Sequence, residues 1–260
     1  PAPRPNRDER PMVRRLTIPW PDARPFAARG GAPIRWLAVS DEPDPALEHE
    51  RNRAGLPAID AIVGAGDLEP DYLGFLCDAF GVPMAYVRGN HDRGGRWADA
   101  VAAYAPAHLP TGRVHRVDGL PVAALEWPGV RHGDRRRHDG TAWADVLRVE
   151  RSRLLGRTAG RGGPLIVLSH APPRGVGDRA ADPYHVGYSG YRWLLDRTHP
   201  VAWLHGHVPP ASVEGWRVDH AGTPVVNVTG SILIEIVPPV GPANVDQNGG
   251  QGTAGQVGDG

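Results

Sequence analysis

Short apolar runs recur through the middle of the sequence, and segments with helical spacing separate them. Each run has four to seven residues rich in Val, Ile, Leu and Ala, which predicts strands buried on both faces. The predicted strands are 34–40, 58–63, 83–87, 121–125, 165–169, 201–204, 225–228 and 232–237. The predicted helices are 45–55, 70–80, 95–104, 141–155 and 188–197. Alternation of strands and helices is typical of the α/β class.

The composition changes at both ends of this pattern. Residues 1–30 are rich in Pro and Arg, and we expect an N-terminal arm there with one short extended piece at 13–18. Residues 238–260 are glycine-rich and polar, which predicts a disordered tail because little apolar surface is available for burial. One domain is therefore predicted at 31–237. Its last part, from 211 onward, has consecutive short strands, which predict an antiparallel extension or a second sheet.

Charge and cysteine content exclude several classes of function. The 260 residues contain 29 basic and 29 acidic side chains, so net charge provides no steering toward nucleic acid or an anionic membrane. One cysteine, Cys77, excludes a disulfide framework and any cysteine-built metal cluster. No apolar run approaches the roughly 20 residues of a membrane-spanning helix, and we expect a soluble, cytoplasmic protein. The oligomeric state is left open.

Polar side chains stand directly after five of the predicted strands. The carboxyl ends of parallel strands converge on one crevice, so carboxylate, amide and imidazole groups would meet there. This mixture of ligands suits manganese, iron, zinc or nickel better than calcium. Taken singly, an aspartate here is more simply a helix cap and a histidine more simply structural, but the joint pattern favours a metal site. The residues concerned are Asp41, Asp67, Asn90, His91, Asp92, His170 and His207.

The ordered series resembles the calcineurin-like metallophosphoesterases. The motifs of that family run Asp-x-His, Gly-Asp, Gly-Asn-His-Asp/Glu, a lone His after a strand, and Gly-His-x-His. The match extends over roughly residues 34–236, and its most specific element is the run from Gly89 to Asp92. The resemblance implies a four-layer α-β-β-α sandwich of two mixed sheets, with a metal centre at one end of both sheets.

The resemblance also implies a chemistry. It implies hydrolysis of phosphomonoester or phosphodiester bonds, in which a metal-activated hydroxide attacks phosphorus and His91 donates a proton to the leaving oxygen. Asp92 is then expected to orient the ring of His91. A small phosphoester is the expected partner. The metal ligands that the resemblance implies are Asp41, Asp67, Asn90, His170 and His207.

Two positions depart from the family pattern. The second ligand of the first motif falls at Pro43, and the final histidine of the last motif falls at Pro209. Proline has no side-chain donor atom for a metal. By the logic of the family both missing histidines belong to the same metal position. We therefore expect one tightly bound divalent ion, with manganese favoured, and a second that binds weakly or not at all.

Nearby residues could compensate for the missing histidines. Glu42 and Asp44 could supply an oxygen ligand, although capping of the helix predicted at 45 is the favoured alternative. His205 could approach the site because strand alternation places it on the same face as His207, although a core histidine is favoured. Arg174 and the segment up to His185 are expected at the rim of the site.

Two other functions remain open at this point. A degenerate family member would bind one metal and a phosphate ligand or a protein partner without turnover, and the two prolines favour this alternative. Binding of nucleic acid is a weak alternative, based on the seven arginines of residues 1–30. The arginine-rich loop 131–138 is more simply a solvated loop than a phosphate-binding one.

Overall fold

Two mixed β-sheets face each other in the computed structural model, which describes residues 13–129, 139–155, 163–179, 181–209 and 215–239. The strands are β1 (Arg14–Pro19), β2 (Ile34–Ser40), β3 (Ala61–Gly64), β4 (Met84–Tyr86), β5 (Arg113–Val117), β6 (Leu120–Leu125), β7 (Ile166–Ser169), β8 (Ala202–His205), β9 (Arg217–His220), β10 (Thr223–Asn227) and β11 (Gly230–Val237). The α-helices are α1 (Pro45–Glu48), α2 (Glu50–Arg53), α3 (Pro70–Phe80), α4 (Gly95–Tyr104), α5 (Asp139–Leu155) and α6 (Ser189–Thr198).

Each sheet contains a run of adjacent parallel strands, and the carboxyl ends of the strands in a run lie at the same edge of the sheet. The first sheet has the order β1-β11-β2-β3-β4, in which β2, β3 and β4 are parallel and β11 runs antiparallel to β2. The second sheet has the order β5-β6-β7-β8-β10-β9, and its four central strands are parallel. The outer strands β5 and β9 are antiparallel to their neighbours.

Strand alternation divides the apolar side chains among three cores, which confirms the predicted four-layer sandwich. In β2, Trp36 packs between the sheets, whereas Leu37 faces the layer that contains α3. In β7, Leu168 packs between the sheets, whereas Val167 faces α5 and α6. Both faces of each sheet are therefore covered, which explains the nearly continuous apolar runs in the central strands.

The predicted elements are largely present, with three differences. Strand β5 was not predicted, because arginines at its exposed positions interrupt the apolar pattern. The helix predicted at 45–55 is two short helices, since His49 between them has an extended backbone. The closing strands divide between the sheets, with β9 and β10 in the second and β11 in the first. Within the described ranges, no helix combines the length and apolarity needed to cross a membrane.

The N-terminal segment is part of the sandwich from residue 14 onward, so the predicted boundary at 31 is wrong. Strand β1 pairs in parallel with β11, and a 3-10 helix follows at Arg24–Arg29. Trp20 and Phe26 are buried in the core between the sheets, and this burial outweighs the proline-rich composition. Residues 1–12, the loop 131–138 and residues 240–260 lie outside the described residues.

Candidate metal centre

The site strands of both sheets end at one cleft. Asp41 and Asp67 follow β2 and β3 in the first sheet, and His207 follows β8 in the second. These three residues have positive φ angles of 59°, 58° and 67°, a region that residues with a Cβ seldom adopt. The backbone therefore bends sharply just beyond each strand, and all three residues line the cleft.

Glycines precede the site residues mainly because no side chain would fit at those positions. Gly66, with φ of 95°, allows a sharp turn of the backbone before Asp67. At Gly89 an added Cβ would overlap the carboxylate of Asp67, and at Gly206 it would overlap that of Asp41. Carboxylates packed directly against the main chain thus require glycine at both positions.

Three candidate ligands converge around the imidazole of His170. One ligand atom from each of Asp67, His170 and His207 lies within 4.8 Å of the other two. His170 Nδ1 lies 2.8 Å from the carbonyl oxygen of Ala65, which can only accept, so this nitrogen carries a proton. His170 Nε2 lies 2.8 Å from Asn90 Oδ1 and 3.3 Å from Asp67 Oδ2. Imidazole nitrogen, amide oxygen and carboxylate oxygen thus meet at one point, a donor set that fits a divalent transition metal.

The ring of His207 contacts a main-chain carbonyl group and two neighbouring rings. Its Nε2 lies 3.1 Å from the carbonyl oxygen of Tyr184 and donates to it, which leaves the lone pair of Nδ1 free. Its ring centroid lies 4.9 Å from that of His170 and 4.7 Å from that of Trp127. Trp127 is buried behind the histidines and forms an apolar wall.

The ionisable groups of the site shift one another's pKa values. Burial alone would raise the pKa of Asp67, but the imidazole of His170 and the amide of His91 lower it to about 2. Burial alone would lower the pKa of His170, but the carboxylates of Asp67 and Asp41 raise it to about 9. Burial and the neighbouring His170 lower the pKa of His207 to about 3. At pH 7 Asp67 is therefore ionised and His207 neutral, the forms in which both bind metal, whereas His170 is protonated and would have to release its Nε2 proton to bind one.

The carboxylate of Asp92 contacts the main chain of two neighbouring segments. Its Oδ2 accepts hydrogen bonds from the main-chain N–H of Asp67 at 2.8 Å and of Gly89 at 2.7 Å. Burial and the nearby Asp67 raise the pKa of Asp92 to about 7 despite these two donors. Within the described residues no hydrogen bond joins Asp92 to the ring of His91. The orientation of that ring by Asp92 therefore stays a prediction, and in this structure the carboxylate ties together the segments that follow β3 and β4.

His91 stands at the open side of the cleft. Its main-chain N–H donates to Asp67 Oδ1 at 2.7 Å, while its ring is 59% exposed and its Nε2 lies 4.0 Å from Asp67 Oδ2. The cleft has a volume of about 430 Å³. It is lined by Asp41, Glu42, Pro43, Asp67, Leu68, Glu69, Asn90, His91, Tyr184, His185, His207, Pro209 and Thr229.

The carboxylate of Asp41 is engaged by the protein. It accepts hydrogen bonds from the hydroxyl of Ser40 at 2.6 Å and from that of Thr229 at 3.2 Å. Burial raises the pKa of Asp41. Pro43 and Pro209 line the same cleft and bring no donor atom to it. The part of the cleft beside Asp41 is therefore poorer in candidate ligands than the part beside His170.

Of the possible substitutes, neither Asp44 nor His205 lines the cleft. Asp44 caps α1 by accepting the N–H of Ala46 at 2.8 Å, and it also accepts a hydrogen bond from the hydroxyl of Ser231. His205 packs against Gly177, and burial lowers its pKa to about 4. The strand alternation that predicted its approach ends at His205, because His207 lies beyond β8 with a left-handed backbone. Glu42 is the one of the three that lines the cleft.

Sequence reasoning did not identify Tyr184 or Thr229 as site residues. Tyr184 and His185 lie in the segment expected at the rim, and both line the cleft. Arg174, from the same segment, is not among the lining residues, and its guanidinium lies 3.5 Å from the hydroxyl of Ser189. The sequence signal that could have identified Tyr184 is its position in the segment that follows His170. No sequence signal points to Thr229.

Residues 50–211 match the family model described as calcineurin-like phosphoesterase. The chain belongs to this family. The matched range contains Asp67, Asn90, His170 and His207, whereas Asp41 precedes it. Membership in the calcineurin-like phosphoesterases implies a metal-dependent hydrolase of phosphoesters and a site for divalent metal.

Solved structures align with this calcineurin-like phosphoesterase at low identity. One solved structure aligns with a TM-score of 0.52 and 18% identity, over 76% of this chain and 91% of its own. A phosphopantetheinyl hydrolase from Mycobacterium tuberculosis aligns with a TM-score of 0.49 and 17% identity, over 76% and 90%. The protein TT1561 of Thermus thermophilus aligns with a TM-score of 0.47 and 19% identity, over 76% and 90%. Among curated proteins, none matches the sequence.

Proposed function

We propose that this protein hydrolyses small phosphoesters at a divalent metal ion held by Asp67, Asn90, His170 and His207. The observation that carries the proposal is the convergence of ligand atoms from Asp67, His170 and His207 within 4.8 Å of one another. Imidazole, amide and carboxylate ligands together suit manganese, iron, zinc or nickel better than calcium, and among these ions we propose manganese. When bound, such an ion supplies Lewis-acid stabilisation of phosphoryl charge and makes water more acidic than in bulk solution.

The chain's own residues would bind the substrate and move the proton. The cleft of about 430 Å³ is large enough for a small phosphoester. His91 presents an exposed imidazole there, and its main-chain bond to Asp67 fixes its position relative to the ligands. We assign His91 as the proton donor to the leaving oxygen.

We further propose one tight metal position and one weak one. Proline occupies both positions where the family has the remaining histidines, and both prolines line the cleft beside Asp41. The carboxylate of Asp41 also accepts hydrogen bonds from Ser40 and Thr229, which compete with a metal ion for its oxygen lone pairs. Glu42 lines the cleft next to Pro43 and could add an oxygen ligand at this position.

Hydrolysis of aryl phosphate monoesters and diesters during a manganese titration tests the proposal. Metal-stripped protein is expected to gain activity as Mn²⁺ is added. Asp67→Asn should lose about 100-fold or more, because it removes the charged ligand at the centre of the cluster. Asp71→Asn, on the exposed face of α3, is the matched control. Absence of hydrolysis at every metal occupancy would overturn the catalytic assignment.

A second candidate function is binding of one metal and a phosphate-bearing ligand or protein partner without turnover. The two prolines that line the cleft favour it. Calorimetry with Mn²⁺ followed by inorganic phosphate separates the two functions. Tight binding of both without hydrolysis of either ester class would support this alternative.

A further inference from the structure

Tyr184 contacts one candidate ligand from each sheet. Its hydroxyl oxygen accepts a hydrogen bond from Asn90 Nδ2 at 3.1 Å, and Asn90 follows β4 of the first sheet. Its carbonyl oxygen accepts from His207 Nε2 at 3.1 Å, and His207 follows β8 of the second sheet. The Tyr184 ring also lies 5.5 Å from the His207 ring, measured between centroids.

The hydrogen bond between Asn90 and Tyr184 affects how readily Asn90 can point its Oδ1 at a metal ion. Asn90 is 1% exposed, and its Oδ1 faces His170 Nε2 while its Nδ2 faces away. In this orientation the hydroxyl of Tyr184 is the partner of the buried Nδ2–H. Without that hydroxyl the amide would keep Oδ1 on a cation only by leaving a buried donor unpaired.

The contact with His207 determines which of its two ring nitrogens carries the proton. A carbonyl oxygen accepts and cannot donate, so the proton of neutral His207 is held on Nε2. The lone pair of Nδ1 is then free for a cation. Because this contact uses the main chain, it persists when the side chain of Tyr184 is changed.

The segment around Tyr184 is held by its own carboxylates. Asp182 Oδ1 accepts from the main-chain N–H of Tyr184 at 2.9 Å, and its Oδ2 accepts from His185 Nδ1 at 2.5 Å. Asp178 Oδ2 accepts from the N–H of Gly187 at 2.8 Å. None of these hydrogen bonds involves the phenol ring, so removal of the Tyr184 hydroxyl leaves the segment in place.

We infer that Tyr184 is a positioning residue that orients two ligands of the metal centre, Asn90 through its hydroxyl and His207 through its carbonyl. The inference rests on the proposed metal centre and assigns a new residue to it. Hydrogen bonds from neighbouring groups commonly set the orientation of metal ligands and change metal affinity by about 10- to 100-fold.

Calorimetric titration with Mn²⁺ alone tests the inference without relying on activity. Tyr184→Phe is expected to weaken Mn²⁺ binding by about 10-fold or more. Tyr104→Phe, an equally conservative change at an exposed tyrosine of α4, should leave the affinity unchanged. Unchanged affinity in Tyr184→Phe, with tight binding in the wild-type protein, would overturn this inference and leave the proposed function intact. A wild-type protein that binds no Mn²⁺ would overturn the metal centre itself.

A double-mutant cycle distinguishes orientation of Asn90 from general damage to the segment. Asn90→Asp replaces the amide by a carboxylate, which has no N–H to satisfy and presents oxygen in either orientation. In the Asn90→Asp background, Tyr184→Phe should therefore change Mn²⁺ affinity by less than about 3-fold. An equal loss in both backgrounds would contradict the assigned role.

Discussion

The main-chain N–H of His207 lies 3.1 Å from Oδ1 and 2.9 Å from Oδ2 of Asp41 and donates to this carboxylate. Asp41 follows β2 of the first sheet, and His207 follows β8 of the second, so this contact ties the two sheets together at the cleft. It uses the side chain of one candidate ligand to fix the backbone of another. Asp41 therefore has a structural role that does not depend on metal.

Asp41→Ala is expected to lower the free energy of unfolding by about 1–3 kcal/mol, because the N–H of His207 loses its acceptor. Asp41→Asn keeps one acceptor oxygen and should cost less. Urea unfolding of both variants measures the difference. If Asp41→Ala unfolds at the wild-type midpoint, the contact between the sheets makes no contribution to stability.

Gly89→Ala should damage the site and the fold together. The added methyl would overlap the carboxylate of Asp67 and the ring of His170, and overpacking of this kind costs about 1–3 kcal/mol. Mn²⁺ affinity should fall with it. The matched control is Gly140→Ala in α5, where nothing lies within 4 Å of the new methyl and stability should rise by at most about 1 kcal/mol. Equal unfolding midpoints for the two variants would contradict the packing explanation.

His91→Ala is expected to lower kcat for aryl phosphate hydrolysis by about 100- to 10,000-fold, the usual contribution of a positioned proton donor. Its Mn²⁺ affinity should stay within about 3-fold of the wild type, because the main-chain bond to Asp67 remains. Steady-state kinetics and calorimetry on the same preparation provide both numbers. His49→Ala, at another exposed histidine, is the control, and equal kcat in both variants would exclude His91 as the donor.

Restoring the two family histidines should restore a second metal. In the double variant Pro43→His with Pro209→His, new imidazoles would face the cleft beside Asp41. We expect the Mn²⁺ stoichiometry to rise from one tight ion to two, with faster ester hydrolysis at low metal concentration. Calorimetry and metal analysis after gel filtration measure the stoichiometry. Two tight ions in the wild-type protein would show that the prolines do not weaken this position.

The free energy of unfolding should decrease in mild acid because the half-buried ring of His108 is harder to protonate in the folded state than in the unfolded state. Burial, and to a lesser extent the guanidinium of Arg88, lower the pKa of His108, while Glu126 opposes them. A histidine held neutral in the fold contributes fully above the unfolded pKa of about 6.5, and the contribution is lost as the pH falls below that value. His108→Gln should therefore show a smaller drop in urea midpoint between pH 7 and pH 5 than the wild type. An equal drop in urea midpoint for the variant and the wild type would contradict the lowered pKa of His108.

The fold class and most of the candidate site could be predicted from the pattern of residues along the chain. Apolar runs of four to seven residues placed the central strands, because strands covered on both faces leave a continuous apolar pattern. The polar residues after those strands placed Asp67, Asn90, His170 and His207 together, since parallel strand ends share an edge. The missing ligands at Pro43 and Pro209 could also be predicted, because proline has no side-chain donor atom for a metal.

Features that depend on contacts between distant segments could not be predicted and emerged only from the folded chain. Trp20 joined the core although its neighbours in sequence predicted an arm, because packing outweighs local composition. Asp92 accepts hydrogen bonds from main-chain amides, and Tyr184 reaches ligands of both sheets. Hydrogen-bond partners depend on distances and angles in space, which a one-dimensional pattern of residue types does not contain.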